Sequence, residues 1–276
     1  MSRIITAVVV LPFLIASILI AWLQPLFVIL AAAAMVLGLY EFYVLAKKRD
    51  MKPDASAGYL GAAALFTVYY FSAPDQLPQQ LLLIQIVLIA LTIGTLIAFT
   101  LRGAPFDKMI ASSAATILGV LYVVFLGGHL IALRTGFKQT LSAHLLSFFF
   151  LVIMGSDTGA YYVGRLLGKH KLAPSISPGK TWEGVAGAFV ASLLMATLAH
   201  FWFFKELPLK LALSLAAVMT VVGIFGDLTE SALKRGAGAK DAAKILPGHG
   251  GVLDRLDSLL FNAPVIYYFG RIYFGG

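Results

Sequence analysis

Long apolar runs make up most of the chain, and short polar or proline-containing segments separate them. A run of about 20 apolar residues is long enough to cross a bilayer as a helix. The pattern therefore predicts nine transmembrane spans, of which the third and the last are short. The spans cover residues 4–23, 26–46, 57–73, 81–101, 110–133, 141–163, 185–204, 211–227 and 259–273. The expected fold is an all-α, polytopic integral membrane bundle of about nine transmembrane helices.

The composition agrees with this interpretation and excludes several functions. Hydrophobic residues fill 60% of the 276 positions and charged residues 12%, with a mean hydropathy of +0.90, whereas a soluble domain carries about 25% charged residues. The chain has no cysteine, which excludes disulfides, thiolate metal sites and cysteine nucleophiles. Its net charge of +8 does not indicate nucleic acid as a partner, because the cationic residues lie between the spans.

The distribution of cations predicts the orientation of the chain. Alternate connections, counted from the N-terminus, hold sixteen of the 21 Lys and Arg residues, and the opposite connections hold five. Positive residues concentrate on the cytoplasmic side of a membrane. We therefore expect a multi-pass protein of the inner (plasma) membrane with a cytoplasmic N-terminus and an external C-terminus. This orientation places Asp157, Asp227, Asp254 and Asp257, and so the active site, at the cytoplasmic surface.

The same pattern divides the chain into three regions. Residues 1–78 hold spans one to three, and residues 79–140 hold spans four and five, beside which the sixth helix is a candidate dimer interface. Residues 141–276 are expected to form a C-terminal catalytic transmembrane region with cytoplasmic polar loops.

The longest polar stretch, residues 231–258, holds the most concentrated candidate chemistry. It contains five basic residues and a glycine turn at 247–251, where the missing Cβ lets backbone N–H groups approach a ligand closely. Basic side chains, such a turn and spaced carboxylates together suit a metal-bound polyphosphate. His249 within the turn is compatible with a general base, a phosphate donor or a plain turn residue.

Acidic residues accompany this stretch at helical spacing. Asp227, Ser231 and Lys234 lie at i, i+4 and i+7 and share one helix face. The alternative is that Lys234 only neutralises Asp227 at the end of a span. Asp254 and Asp257 lie at i and i+3, which suits Mg²⁺, an ion that commonly uses one or two carboxylates together with substrate phosphates. Alternatively, Asp254 caps the last helix as an anion of its first turn.

A second polar insertion lies at the end of the sixth span. Asp157, Tyr161 and Arg165 follow one another at i, i+4 and i+8, so one helical stripe becomes polar there. The stripe either belongs to a site or contains a structural Asp–Arg pair.

A third polar segment precedes the seventh span. Ser177 followed by Pro178 is typical of a helix N-cap with proline at the first helical position. A helix N-terminus with Lys180 and Thr181 nearby is also a ready phosphate site, and we favour substrate binding.

In their order, these motifs resemble those of one family. Its members are the phosphatidate cytidylyltransferases, the bacterial CDP-diacylglycerol synthases. The signature elements are Ser231-x-Leu233-Lys234-Arg235, Lys240-Asp241 and Gly248-His249-Gly250-Gly251-x-x-Asp254-Arg255-x-Asp257-Ser258. Two further elements are similar to that family's other polar segments, namely Ser177-Pro178-x-Lys180-Thr181-x-Glu183-Gly184 and Asp157-x-Gly159-Ala160-Tyr161. Elsewhere the likeness is limited to length and hydropathy.

The resemblance implies an enzyme of phospholipid biosynthesis that converts CTP and phosphatidic acid into CDP-diacylglycerol and pyrophosphate. It also implies Mg²⁺ dependence, a homodimer of helical bundles, and a paired cation site on Asp227 and Asp254. The i, i+3 spacing adds Asp257 as a further candidate metal ligand. The expected catalytic residues are Asp227, Asp254 and Lys234. The expected substrate contacts are Asp157, Tyr161, Arg165, Ser177, Lys180, Thr181, Ser231, Arg235, Lys240, Asp241, His249, Gly250, Gly251 and Arg255.

Two other functions are weighed against this prediction. A CTP-dependent lipid or polyprenol kinase would transfer the γ-phosphoryl group instead of CMP. A membrane transporter would place charged residues near span centres and use paired half-helices, whereas the carboxylates here cluster at one predicted membrane surface beside a basic loop.

Overall fold

The computed structural model describes residues 2–71, 77–104, 106–239 and 251–275. Within these ranges the chain is almost entirely helical, apart from one two-stranded sheet. The elements in order are α1 (Ser2–Leu19), a 3₁₀ turn (Ala21–Leu23), α2 (Gln24–Lys47), α3 (Ala55–Tyr70), α4 (Leu77–Arg102), α5 (Met109–Gly119), a π-helical turn (Val120–Phe125), α6 (Leu126–Thr135), α7 (Gln139–Leu167), β1 (Lys171–Ala173), β2 (Ser177–Thr181), α8 (Trp182–Trp202), α9 (Leu209–Gly236) and α10 (Leu253–Phe274).

The helices overlap the predicted apolar runs, and the chain is an all-α integral membrane protein. Helix α5, the π-helical turn and α6 follow one another without a break, so residues 109–135 form one long helix. In the described ranges, six helical segments are long and apolar enough to cross a membrane, which are Ala21–Lys47, Leu77–Arg102, Met109–Thr135, Gln139–Leu167, Trp182–Trp202 and Leu209–Gly236. Helices α1, α3 and α10 fall outside this group, so the predicted count of nine spans is not confirmed.

Close helix packing brings the C-terminal half of the bundle together. Helices α7 and α8 make the most extensive helix contact in the described chain. A Cβ on Gly159 of α7 would lie 2.5 Å from the backbone oxygen of Gly187 in α8, so glycine is required for this approach. Small residues allow such close packing where lipid offers no hydrophobic drive between helices. The polar end of α7, with Asp157, is thereby held against the start of α8.

A short antiparallel hairpin joins α7 to α8. Strand β1 pairs with β2 so that Lys171 lies opposite Thr181 and Ala173 opposite Ser177. The Thr181 hydroxyl accepts the N–H of Gly184 at 3.1 Å and caps α8. The alternative in which Ser177 is an N-cap is therefore wrong. The chain forms a strand there because β2 pairs with β1, and the helix begins only at Trp182.

Helix α9 continues beyond the predicted end of its span. The apolar pattern ends at Asp227, but the helix runs on to Gly236, so Ser231, Lys234 and Arg235 are helical. Glu230 and Lys234 pair at 2.6 Å with i, i+4 spacing, an arrangement that stabilises a helix. The polar face of α9 thus extends the bundle toward the hairpin.

An almost completely buried arginine anchors the N-terminal helix. Arg134, 1% exposed, donates to the backbone oxygens of Ser17 and Ile20, each at 3.2 Å, and to the Gln139 side chain at 2.6 Å. Carbonyl groups at a helix end lack partners within the helix, and unpaired backbone groups are costly in a membrane. Arg134 therefore fixes the end of α1 against α6 and α7.

Candidate active site

A cavity of about 600 Å³ lies between α7, α8, α9, α10 and the hairpin. Its lining contains acidic residues of three different helices, namely Asp157 of α7, Asp227 of α9, and Asp254 and Asp257 of α10. Apolar side chains complete the lining, among them Val152, Ile153, Ala188, Met219 and Ile224. Acidic residues that are far apart in the sequence thus meet in one cavity, beside a surface that suits an apolar group.

Asp227 is paired with a lysine of the hairpin. The Lys180 Nζ lies 2.6 Å from Asp227 Oδ2, and both side chains are partly exposed. The alternative in which Lys234 neutralises Asp227 is wrong, because Lys234 binds other acidic residues. Lys180 reaches Asp227 since β2 lies beside α9, a contact that helical spacing along α9 does not reveal.

Lys234 holds a pair of carboxyl groups together. Its Nζ lies 2.6 Å from Glu230 Oε2 and 2.7 Å from Asp254 Oδ1. Glu230 is 1% exposed, and its role was missed in the sequence analysis. The signal was present, because Glu230 lies three residues after Asp227 and four before Lys234 on the same helix. Lys234 therefore acts as a bridge between α9 and the start of α10.

The start of α10 is held by two acidic side chains. Asp254 Oδ2 accepts the N–H of Gly251 at 2.9 Å, so Asp254 binds the turn before the helix. Glu41 of α2 accepts the N–H groups of Val252 and Leu253. The capping alternative for Asp254 is thus correct only in part, since Glu41 takes the first helical N–H group. An acidic residue within the apolar run 26–46 was the signal that the sequence analysis did not use.

Asp157, Asp227 and Asp257 are close enough to interact electrostatically. Asp257 Oδ1 accepts the N–H of Ser258 at 2.6 Å. A Cβ on Gly226 would lie 2.6 Å from the backbone oxygen of Asp257, so glycine lets α9 and α10 meet beside Asp227. Neighbouring carboxylates repel one another when they are ionised, and this part of the site therefore favours a bound cation.

The polar stripe on α7 also faces the cavity. Tyr161 and Arg165 both line it, and the Arg165 guanidinium donates to the Tyr161 hydroxyl at 2.8 Å. In the described residues Arg165 forms this contact rather than the structural ion pair with Asp157 that was the alternative. A guanidinium beside the cavity is available to a phosphate.

The other predicted site residues are placed differently. Thr181 lines the cavity, whereas Ser177, Ser231, Arg235 and Arg255 are not part of the lining that the structure describes. Arg235 donates to the backbone oxygen of Ile176 at 3.2 Å and so fastens the end of α9 to the hairpin turn. Gly251 contributes its N–H to Asp254. Lys240, Asp241, His249 and Gly250 lie outside the described residues.

The lining fits a metal that arrives together with phosphate. Among the described residues, no group of three or more His, Asp or Glu side chains is arranged to hold an ion by itself. The lining nevertheless has four acidic side chains against two basic ones, Lys180 and Arg165. A polyphosphate would meet net negative charge there unless a cation accompanied it. Carboxylate oxygens combined with phosphate oxygens are the usual surroundings of Mg²⁺.

Comparison with known proteins agrees with this geometry. The sequence pattern of the cytidylyltransferase family matches residues 1–273. The chain is 34% identical over 241 residues to the phosphatidate cytidylyltransferase of Bacillus subtilis, and this alignment covers 84% of this chain and 85% of that protein. It is 46% identical over 123 residues to the protein of the same name from Staphylococcus haemolyticus, covering 45% of this chain. Over 129 residues it is 43% identical to that from Haemophilus influenzae, again covering 45% of this chain.

The extent of these matches differs. The alignments with the Staphylococcus haemolyticus and Haemophilus influenzae proteins span about half of those relatives, 47% and 45% of their lengths. The Bacillus subtilis alignment and the family pattern extend over most of the chain. On this evidence, the chain belongs to the cytidylyltransferase family.

Proposed function

We propose that this protein transfers CMP from CTP to phosphatidic acid, giving CDP-diacylglycerol and pyrophosphate for phospholipid biosynthesis. The observation that carries the proposal is a single cavity in which acidic residues of three helices accompany Lys180 and Arg165, with apolar side chains beside them. Such a lining suits one substrate that is highly charged and another that joins a phosphate to a lipid body. Membership of the cytidylyltransferase family supports the same reaction.

In the proposed reaction, an oxygen of the lipid phosphate attacks the α-phosphorus of CTP. A new P–O bond forms, the bond from the α-phosphorus to the oxygen that bridges to the β-phosphate breaks, and pyrophosphate leaves with that oxygen. The attacking oxygen is already anionic, so the step needs no protein base. It requires that two anions be aligned and their charge neutralised.

The basic residues of the site have separate proposed roles. Arg165 is suited to bind two phosphate oxygens at once, and Lys180 to bind one as a point charge. Because Lys180 pairs with Asp227 at 2.6 Å, an incoming phosphate competes with that carboxylate for the ammonium group. Lys234 keeps Asp254 in the cavity wall. The other predicted contacts, including Ser177, Ser231 and Arg235, stay proposals.

Asp227, Asp254 and Asp257 are the side chains that we propose hold Mg²⁺, with the first two forming the paired cation site. When bound, Mg²⁺ would neutralise phosphate charge and make the α-phosphorus a better electrophile. Asp157 adds negative charge on the facing helix and favours cation binding at the same place. Lys234 keeps Asp254 from leaving this group.

The membrane setting completes the proposal. The cavity is lined by residues between Val152 and Asn262, which supports residues 141–276 as the catalytic region, after regions 1–78 and 79–140. We propose that the cavity faces the cytoplasm of the inner membrane, where CTP is available, and that the protein is a homodimer. The apolar part of the lining is the proposed contact for the lipid body of phosphatidic acid.

The position of a radioactive label tests the reaction. Purified protein in detergent is given phosphatidic acid, Mg²⁺ and CTP labelled in either the α- or the γ-phosphate. Label from the α-phosphate is expected in the lipid product, and label from the γ-phosphate is expected in pyrophosphate. Lipid labelled from the γ-phosphate would instead identify a lipid kinase, and the absence of lipid labelled from the α-phosphate would reject the proposed transfer.

Two isosteric variants extend this test to the metal site. Asp227→Asn and Asp254→Asn keep side-chain shape but remove the charge, so we expect insertion into the membrane without turnover. Asp107→Asn is the matched control, because Asp107 lines a different surface pocket. Turnover close to the wild type in either site variant would remove that residue from the proposed metal site.

A further inference from the structure

We propose that Glu41 is a positioning residue of the active site that acts through α10, an inference that rests on the proposed function. Glu41 belongs to α2, and in the described part of the chain no residue of α2 lines the cavity. Its side chain is nevertheless completely buried, at 0% exposure. A buried carboxyl group within a membrane helix is costly unless it is fully bound, so its placement requires a specific partner.

That partner is the start of α10. Glu41 Oε1 accepts the N–H of Val252 at 2.9 Å, and Oε2 accepts the N–H of Leu253 at 2.7 Å. The first N–H groups of a helix have no partner inside it, and the positive end of the helix dipole favours an anion there. Val252, the residue before the helix, makes no side-chain cap of its own. Glu41 therefore supplies from α2 the cap that the local sequence lacks.

The capped turn carries the acidic residues of the site. Asp254 follows Leu253 directly, and Asp257 lies one turn later in α10. Both line the cavity. The two hydrogen bonds that Glu41 accepts thus fix where α10 begins and how its first turn is oriented toward Asp227 and Lys234.

Packing makes this connection stiff. Gly38 lies one turn before Glu41 in α2, and a Cβ placed on it would lie 3.3 Å from the Leu256 side chain and 3.7 Å from that of Leu253. Leu253 itself is fully buried. The start of α10 is in close contact with α2 on one side, and on the other side its Asp254 is bound by Lys234. A displacement of Glu41 therefore moves Asp254 and Asp257 as well, because the tightly packed side chains cannot rearrange to absorb it.

Glu41→Gln is the decisive variant, and Asp54→Asn is its matched control. A glutamine has one acceptor oxygen, and its NH₂ group would face an N–H donor. Asp54 is also a buried carboxylate, 4% exposed, that accepts a helix N–H, from Ala57 at 3.1 Å at the start of α3. It does not line the cavity that the structure describes. Both variants therefore neutralise a buried carboxylate at a helix start, in Asp54 one that also pairs with Arg102 at 2.6 Å, and only Glu41 supports the site.

The expected result separates positioning from stability. Per folded molecule, kcat of Glu41→Gln should fall by about tenfold or more, since a displacement of about 1 Å can cost about 10²-fold in rate. The KM for CTP should change much less, because Glu41 touches no substrate group. Asp54→Asn should keep wild-type kcat even where its thermal stability falls. Glu41→Asp keeps the charge at a greater distance and should lie between the wild type and Glu41→Gln.

Hydrogen–deuterium exchange of the 251–257 peptide, followed by mass spectrometry, provides a readout independent of turnover. Its amides should exchange faster in Glu41→Gln and at the wild-type rate in Asp54→Asn. Unchanged exchange in Glu41→Gln, or an equal loss of kcat in both variants, would overturn the inference. If the wild type converts no CTP, the proposed function fails, while the exchange measurement still decides whether Glu41 holds α10. Should Glu41→Gln fail to fold, Glu41→Asp provides the same comparison.

Discussion

Replacing Lys234 by methionine tests how the acidic residues of α9 and α10 are held together. Lys234 lies 2.6 Å from Glu230 and 2.7 Å from Asp254. Methionine keeps an unbranched side chain of similar length but removes the ammonium group. Two carboxyl groups would then face each other, and Glu230, at 1% exposure, could not be solvated by water.

The expected loss of stability follows from this burial. An exposed ion pair contributes about 0 to 1 kcal/mol, whereas removing one partner of a buried pair costs about 3 to 5 kcal/mol. The Lys234 and Asp254 side chains retain 15% and 16% exposure, so we expect the lower end, about 3 kcal/mol, for Lys234→Met. For a protein of this size each kcal/mol shifts the melting temperature by about 2 to 4 °C. The apparent Tm should therefore fall by about 6 to 12 °C.

Thermal unfolding in detergent, measured by differential scanning fluorimetry, checks this value. The double variant Glu230→Gln with Lys234→Met should recover at least half of the lost Tm, because a neutral amide replaces the uncompensated buried carboxyl group. CTP turnover should remain low in both variants, since Asp254 no longer has its lysine partner. An apparent Tm of Lys234→Met within about 2 °C of the wild type, or a double variant less stable than the single one, would refute the reasoning.

Three further substitutions test other parts of the structure. Lys180→Met should raise the KM for CTP by about tenfold or more, the effect of losing one charge-assisted contact, while Lys108→Met should leave steady-state kinetics unchanged. The buried Tyr122 hydroxyl has no hydrogen-bond partner in the described residues. Tyr122→Phe should therefore raise the apparent Tm by about 2 °C or more. An apparent Tm below that of the wild type would show that the hydroxyl has a bound partner. Gly159→Ala should reduce the yield of folded protein by clashing with α8, whereas a Cβ on Gly94 meets nothing within 4 Å, so Gly94→Ala should insert and fold normally.

Much of the helical architecture could be predicted from hydropathy. A membrane leaves backbone groups no water to bind, so long apolar runs must form helices, and the long run at 110–133 indeed lies inside the continuous helix formed by residues 109–135. The number of spans could not be predicted equally well. Helix α3 has only 16 residues, and α10 carries Asp254, Arg255 and Asp257 in its first five positions, so neither is an apolar helix of full span length.

The candidate site was predicted unevenly. Asp227 was identified because a charged residue beside an apolar run is costly and so usually has a function, and Asp157, Asp254 and Asp257 from their helical spacing. The structure brings all four to one cavity. The helix-cap alternative for Ser177 is wrong, since the Ser-Pro pattern does not reveal the strand pairing with β1. Glu41 and Glu230 were missed although the argument used for Asp227 applies to them as well, because neither belongs to the motifs on which the prediction was built.

The sequence by itself determined which segments are helical, which polar residues must avoid lipid, and which family the motifs resemble, because these properties depend on residue type and local spacing. Only the tertiary structure decided that Lys180 pairs with Asp227, that Lys234 reaches Asp254 on α10 as well as its helical neighbour Glu230, and that Glu41 caps α10. These contacts depend on how the helices pack. A glycine at a helix contact lets two helices approach closely, whereas a larger residue there keeps them apart. Partner choice among several lysines and carboxylates is therefore a property of the packed bundle rather than of any local segment.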